Sequence, residues 1–437
     1  MALVSAIAVN NPRVIRAWCM YDWANSVYSL VITSAIFPVY YKSVMRQAGG
    51  DQVSFLGFSL DSSVLYSYAL SFSFLVVAVM LPLLSGVADY VGRKKLFMQF
   101  FVMLGSSACM GLFFFRGPSD LNWAITCSVL ASIGFSGSLV FYNAFLPEIA
   151  SPDQFDRISA RGFSMGYYGS VLLMVLCLAM ILNATAFGFA DEGAASRFSF
   201  LLTGVWWFGF ALIPFLVLKE NGSPTEKKDV LLKGYHELLG VWKRIRQLPS
   251  LKRYLLSFFF FNMGVQTIMY LATLFGTDVL HLADDKLIGT ILVIQLVGAL
   301  GAGLFARVSG KLGNKLALVI MIGIWILVCV VAYALQTEWQ FYALAFVVGM
   351  IMGGIQSLSR ATYAKLIPAD TQDHASFFSF YDVTYNVSIV LGTFSFGLIN
   401  QITGTMRNSA LGLGVFFVLG LVALLTVTDS RLAARRR

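Results

Sequence analysis

The sequence predicts an all-α membrane protein of twelve transmembrane helices, arranged as two pseudo-symmetric six-helix halves. Three observations carry this. Only 12% of the 437 residues are charged and 58% are hydrophobic, against about 25% charged in a soluble domain. The apolar residues fall in runs of about 20, long enough to cross a bilayer core. Related short motifs recur at a constant offset, six runs apart.

The runs lie at 17–41, 64–86, 96–115, 121–146, 163–186, 198–218, 254–279, 287–306, 315–335, 340–366, 377–401 and 409–428. Backbone polar groups cannot stay unpaired in hydrocarbon, so each run is a helix or a barrel strand. Their length and the lack of alternation exclude strands. The first run is too long for a signal-peptide core and lacks a cleavage pattern, so it reads as a retained helix. With the N-terminus inside and the helices alternating, the inside segments hold 25 of the 31 Lys and Arg and the outside loops hold six. The inside set includes the Arg435-Arg436-Arg437 tail. This asymmetry predicts a multi-pass protein of the cell (inner) membrane with both termini cytoplasmic. The net charge of +9 then reads as topology and contact with anionic inner-leaflet headgroups. The basic residues are dispersed over seven segments, which argues against nucleic acid as a partner.

The five cysteines all lie in apolar runs, and the three histidines lie in loops or at helix ends. No spacing suggests a metal or a disulfide. No phosphate-binding loop or nucleophile framework is visible. The expectation is a protein without cofactor or metal that is not an enzyme.

The longest polar stretch, 219–253, separates an N-terminal half (1–218) from a C-terminal half (254–437). Leu231, Leu232, Tyr235, Leu238, Leu239, Trp242 and Ile245 recur in it at helical spacing, flanked by Lys243, Arg244 and Arg246. This predicts an amphipathic helix on the inner leaflet; the plain alternative is an unstructured linker. An offset of 221 places Gly92 on Gly313, Lys94 on Lys315, Ser136 on Ser357, Tyr142 on Tyr363 and Pro147 on Pro368. Six-plus-six parallel repeats are the plan of major facilitator transporters, with substrate held between the halves.

The loop GVADYVGRKK after the second helix resembles the signature loop of that superfamily. Its glycines permit a tight turn. Asp89 can meet the positive N-terminus of a neighbouring helix, with Arg93 and Lys94 facing the cytoplasm. In helix 1, Asp22, Asn25, Ser26, Ser29 and Thr33 share one face. In helix 7, Asn262, Gln266, Tyr270 and Thr273 do the same. Two polar stripes at equivalent places predict one water-accessible central path. The bland reading, polar glue between helices, covers the serines and threonines better than Asn262 and Gln266.

Ionisable residues inside spans are functional candidates with a partner to be named. Asp22 lies about 9 Å into helix 1 and Asp382 a similar distance into helix 11, while Arg360 lies about 12 Å before Pro368. Arg360 is therefore expected to meet Asp22 or Asp382 and close the cytoplasmic side. The position equivalent to Asp22 in helix 7 is Phe259. One half alone supplies that acid, which makes Asp22 the candidate for a coupling proton.

Several stretches together resemble one branch of the superfamily, the vacuolar-effluxer-like group that includes bacterial members. They are YDWANSVY (21–28), FYNAFLPEIA (141–150), SARGFSMGYYGS (159–170), VWWFGFALIP (205–214), FNMGVQTI (261–268), GGIQSLSRATYAKLIP (353–368) and FFSFYDV (377–383). Tyr21 and Asn143, inside two of them, join the candidate cavity set. The chain departs from the group at Met263, where an acid is common, and near Asn386, where a lysine is. The resemblance implies a twelve-helix secondary carrier of a small polar solute, an exporter with amino acids among the candidates. The rival readings are a transporter-shaped sensor or scaffold without net flux and a broad organic-ion efflux carrier.

Overall fold

The structure is a computed structural model that describes residues 9–47, 52–55, 58–220, 230–280, 282–428 and 432. The Arg435-Arg436-Arg437 tail and 221–229 of the linker lie outside the described residues. Helices dominate. Helix 1 is Pro12–Arg46, helix 4 runs within Pro118–Ile149, and helix 5 is Phe155–Leu182. Helix 2 is Ser62–Val91, helix 3 Lys94–Gly111 and helix 6 Glu192–Val217. After the linker helix, Val230–Gln247, come helix 7 (Pro249–Leu280), helix 8 (Asp284–Leu312) and helix 9 (Asn314–Ala334). Helix 10 (Glu338–Leu366), helix 11 (His374–Thr403) and helix 12 (Met406–Leu425) complete the chain. Eleven of the twelve combine the length and mean hydropathy of a membrane span. Helix 7, with 32 residues, reaches about 48 Å at 1.5 Å per residue, enough to be the twelfth. A short antiparallel hairpin, Gln52–Phe55 with Phe58–Asp61, joins helices 1 and 2.

The surface explains why these runs need lipid. Val79, Leu182, Leu216 and Ile402 are more than 70% exposed. They stand outward on spanning helices, where hydrocarbon is the compatible solvent. Turn chemistry sets the helix ends. Pro12 opens helix 1 behind Asn11, whose side chain accepts from the Arg13 amide at 2.9 Å. Thr337 and Gln340 form a capping box at helix 10. Helices 2 and 8 stop at glycines with φ of 72° (Gly92) and 84° (Gly313). Side chains rarely adopt that region, and the two glycines are partners under the 221 offset.

The halves meet along two seams, helix 2 against helix 11 and helix 5 against helix 8. The linker helix lies at the end of the bundle that also carries the start of helix 1 and the end of helix 12; this end is called the linker face. The helix does not simply lie flat as an amphipathic strip. Gly234 packs backbone to backbone against Gly86 of helix 2. Trp242 stacks on Phe380 of helix 11, ring centres 5.4 Å apart, and Arg244 meets Asp373 at 3.3 Å. Val241 and Ile245 are buried, whereas Leu232 and Tyr235 are left exposed. The apolar stripe is thus split between a docking face and an outward face.

Candidate functional site

Helix 1 departs from regular geometry midway. Residues Tyr28–Ala35 are π-helical, with the Ser34 hydroxyl donating to the Ser29 carbonyl at 2.9 Å. An i→i+5 segment rotates every later residue away from its 3.6-residue position. The polar face read from sequence is therefore divided. Ser29 is exposed and Ser26 and Thr33 are half-buried. Asn25 lies roughly 60° round the helix from Asp22 and is only 1% exposed. In this arrangement it lines no open path. Asn262 and Gln266 are also buried. The Asn262 amide donates to the Ser388 hydroxyl at 2.5 Å, and Gln266 donates to Asn262 at 3.2 Å. They tie helix 7 to helix 11 within one half rather than lining an open route. The side chain of Tyr270 lies outside the described residues.

Asp22, 4% exposed, and Arg360, 3% exposed, meet across the halves. The guanidinium Nη2 donates to Asp22 Oδ2 at 3.1 Å. The Tyr142 hydroxyl donates to the same oxygen at 2.8 Å. Arg360 spends its other donors on the N-terminal half as well. Nε reaches the Ser159 hydroxyl at 2.9 Å, Nη2 the Ser159 carbonyl at 3.0 Å, and Nη1 Asn143 Oδ1 at 3.4 Å. Phe163, Trp18 and Tyr142 present ring faces 4.3, 4.8 and 5.4 Å from the guanidinium carbon. Trp18 stacks on Tyr142 and donates to its carbonyl at 3.0 Å. Tyr21 packs on Tyr142 with ring centres 4.7 Å apart. A buried cation is tolerated when its partner geometry is good and its remaining donors find acceptors; here four of the five guanidinium N–H groups have one. Gly162 of helix 5 makes room, because a methyl group there would strike the Asp22 carboxylate.

Asp382 is buried in helix 11, next to Tyr381, whose ring centre lies 5.0 Å from that of Tyr363 on helix 10, three residues after Arg360. Its Oδ2 has no hydrogen-bond partner. The arginine expected to meet either acid has joined Asp22.

Two further contacts lie at the linker-face ends of the seams. Asp89 accepts from the backbone amides of Ala375 at 3.2 Å and Ser376 at 2.6 Å, at the N-terminus of helix 11. Arg93 is exposed, as expected, but Lys94 is buried. It pairs with Glu148 at the end of helix 4. The Gly92 turn makes Lys94 the first residue of helix 3 and folds its side chain inward. On the other seam, Asp156 of helix 5 accepts from Lys365 at 2.7 Å, Asn314 at 2.7 Å and the Ser309 hydroxyl at 3.0 Å. Sequence reasoning missed Asp156, Asn314 and Lys365. One signal was present, since the 221 offset puts Asn314 on Arg93 of the signature-like loop.

Two six-helix halves, linked by a surface helix and meeting along helices 2/11 and 5/8, define a major facilitator transporter. Solved structures agree on the fold. The Escherichia coli fucose:proton symporter FucP superposes with a TM-score of 0.69 at 12% identity, covering 95% of this chain and 98% of its own. The proton:xylose symporter XylE gives 0.70 at 12% identity, with 96% of each chain covered. Sequence narrows the class. The profile of the family described as "Vacuole effluxer Atg22 like" matches residues 10–435, and the chain belongs to that family. It is 34% identical over 418 residues to the uncharacterized MFS-type transporter YxiO of Bacillus subtilis, across 95% of this chain and 94% of the relative. It is 24% identical to autophagy-related protein 22-1 of Aspergillus terreus, across 87% of this chain and 77% of that protein.

Proposed function

We infer that the chain is a secondary carrier that exports a small polar solute by alternating access, with amino acids the first class to test. The observation that carries this reading is the buried Asp22–Arg360 pair, which joins the two halves near one face only. A pair that must open to admit a solute has to cross the seam between the halves. In this reading the linker face is cytoplasmic and is closed by Asp22–Arg360, Asp89–helix 11 and Asp156–Lys365. The Lys and Arg balance supports that orientation. Lys233, Lys243 and Arg246 of the linker helix would then stand near anionic headgroups.

Purified protein in proteoliposomes, loaded with a radiolabelled amino-acid mixture, should release label faster than liposomes carrying Arg360→Ala protein. Equal release for amino acids, and then for sugars, nucleosides and organic ions, would leave a sensor or scaffold as the better reading. Orientation is tested separately. A cysteine placed at Lys243 should resist an impermeant thiol reagent in intact cells and react after lysis.

A further inference from the structure

Arg360 is bonded to one of two buried acids that lie similarly far along their helices, and it can neutralise only one at a time. Asp22 lies ten residues into helix 1 and Asp382 eight residues into helix 11. Here Asp22 takes both the guanidinium and the Tyr142 hydroxyl. Asp382, 6% exposed, keeps an Oδ2 with no hydrogen-bond donor. One turn further along, Asn386 Oδ1 is also without a partner, its amide being spent on the Asp382 carbonyl at 2.8 Å. An unpaired carboxylate at such a place is costly, and gaining a proton removes the cost.

The two acids differ in where they belong. Asp22 is on the opposite half from Arg360, so that pair exists only while the linker face is closed. Asp382 shares a half with Arg360 and remains close whichever way the halves tilt. We propose that Asp382 is the proton-binding site of the carrier and that Arg360 exchanges partners, held by Asp22 when Asp382 is protonated and by Asp382 when the proton has left. This rests on the alternating-access reading and deepens it. It moves the coupling proton from Asp22, where the sequence pointed, because Asp22 Oδ2 already accepts from both Arg360 and Tyr142. The balance closes with one proton per cycle. Asp382 takes it from water while the linker face is shut. Opening of that face frees Arg360 from Asp22, and its approach to Asp382 expels the proton towards the linker side.

Several other ionisable groups surround this site. Helix 10 brings Arg360 and Tyr363, helix 7 brings Tyr254, and helix 11 itself brings Tyr381 and Tyr385. Tyr363 donates to the Phe377 carbonyl at 2.5 Å and Tyr254 to that of Ser359 at 2.9 Å. Helix 4 presents Tyr142, which is committed to Asp22. Helix 2 presents Asp89, and helix 11 its own His374, both at the linker-face end. The linker helix brings Arg244, which is held by Asp373. Helix 12 places Arg407 at the far face, on the Tyr333 carbonyl.

The test reads the halves directly and needs no substrate. Spin labels on Arg157→Cys and Lys311→Cys, exposed at the linker-face ends of helices 5 and 8, report opening of that face in nanodiscs; the native cysteines are buried. The wild-type background should shift from mostly short distances at pH 5 to a large long-distance population at pH 8.5. Asp382→Asn, which mimics the protonated acid, should stay short at both pH values. Asp22→Asn should favour long distances at both, and Asp382→Glu should restore the pH response. A full pH response surviving in Asp382→Asn would overturn the proposal, pointing to His374, Asp89 or Asp156. A distribution that answers to Asp22→Asn but not to pH would overturn the exchange while leaving alternating access intact. A distribution fixed in every variant would remove both.

Discussion

The two seams between the halves use the same architecture and different chemistry. Where helix 2 meets helix 11, Asp89 sits at the end of one helix and accepts from backbone amides at the start of the other. Where helix 8 meets helix 5, the acid has changed sides. Asp156 is in the first turn of helix 5, and the donors are side chains from helices 8, 9 and 10. The parts that shape each half are conserved between them. Gly92 and Gly313 both turn the chain at positive φ. Lys95 donates to the Phe215 and Leu218 carbonyls at the end of helix 6, and Lys315, which the 221 offset sets against the neighbouring Lys94, donates to the Leu425 and Val427 carbonyls at the end of helix 12. The comparison teaches that duplication supplies the scaffold, while charge placement across the seams is free to diverge. In the proposed alternating-access reading, cross-seam charge sets how firmly the linker face closes.

Mutations can sharpen or break this contrast. The largest effect is expected at the central pair. Arg360→Ala leaves Asp22 buried without its cation, a loss of about 3–5 kcal/mol, and proteoliposome flux should vanish. Asp22→Arg combined with Arg360→Asp should recover part of it. Near-normal flux in Arg360→Ala would remove the pair from the mechanism.

Next come the seams themselves. Asp156→Ala strands Lys365 and Asn314 together, for about 1–3 kcal/mol. Asp89→Ala strands only amides at a helix end, which water can reach once the seam loosens. Thiol reactivity of a cysteine at Ala299, buried at the helix 5–helix 8 seam where its carbonyl accepts from Ser164, should therefore rise more for Asp156→Ala than for Asp89→Ala. Equal responses would mean that the different chemistry has no energetic consequence.

Gly162→Ala pushes a methyl group at the Asp22 carboxylate and should weaken closure by about 1–3 kcal/mol, against no change for Gly209→Ala, where nothing lies within 4 Å. Thermal unfolding of detergent-solubilised protein, together with the same thiol assay, separates weakened closure from general damage.

The smallest effects test the symmetry. Lys95→Met and Lys315→Met each remove a cation from a helix C-terminus, for about 0.3–1 kcal/mol. Their melting temperatures should fall by similar amounts. A large drop in only one would show that the halves are not equivalent even as scaffolds.

The sequence by itself determined the membrane class, the twelve helices and how far along them Asp22, Arg360 and Asp382 lie. These are local quantities: a run of apolar residues must find lipid or core wherever it goes, and distance along a helix follows from counting. Tertiary structure alone decided which acid Arg360 holds, since Asp22 is 338 residues away in the chain and both acids lie similarly far along their helices. It decided that Asn25, Asn262 and Gln266 turn inward, because a rotation of roughly 60° carries a side chain from a seam into a bundle and hydropathy does not report rotation. It introduced the π segment of helix 1 at Tyr28–Ala35, which no residue pattern announced. It also built the Asp156 network from side chains 153 to 209 residues distant. The strength of that network depends on how the two halves are placed against each other, and that placement is a property of the packed seams rather than of any one stretch of chain.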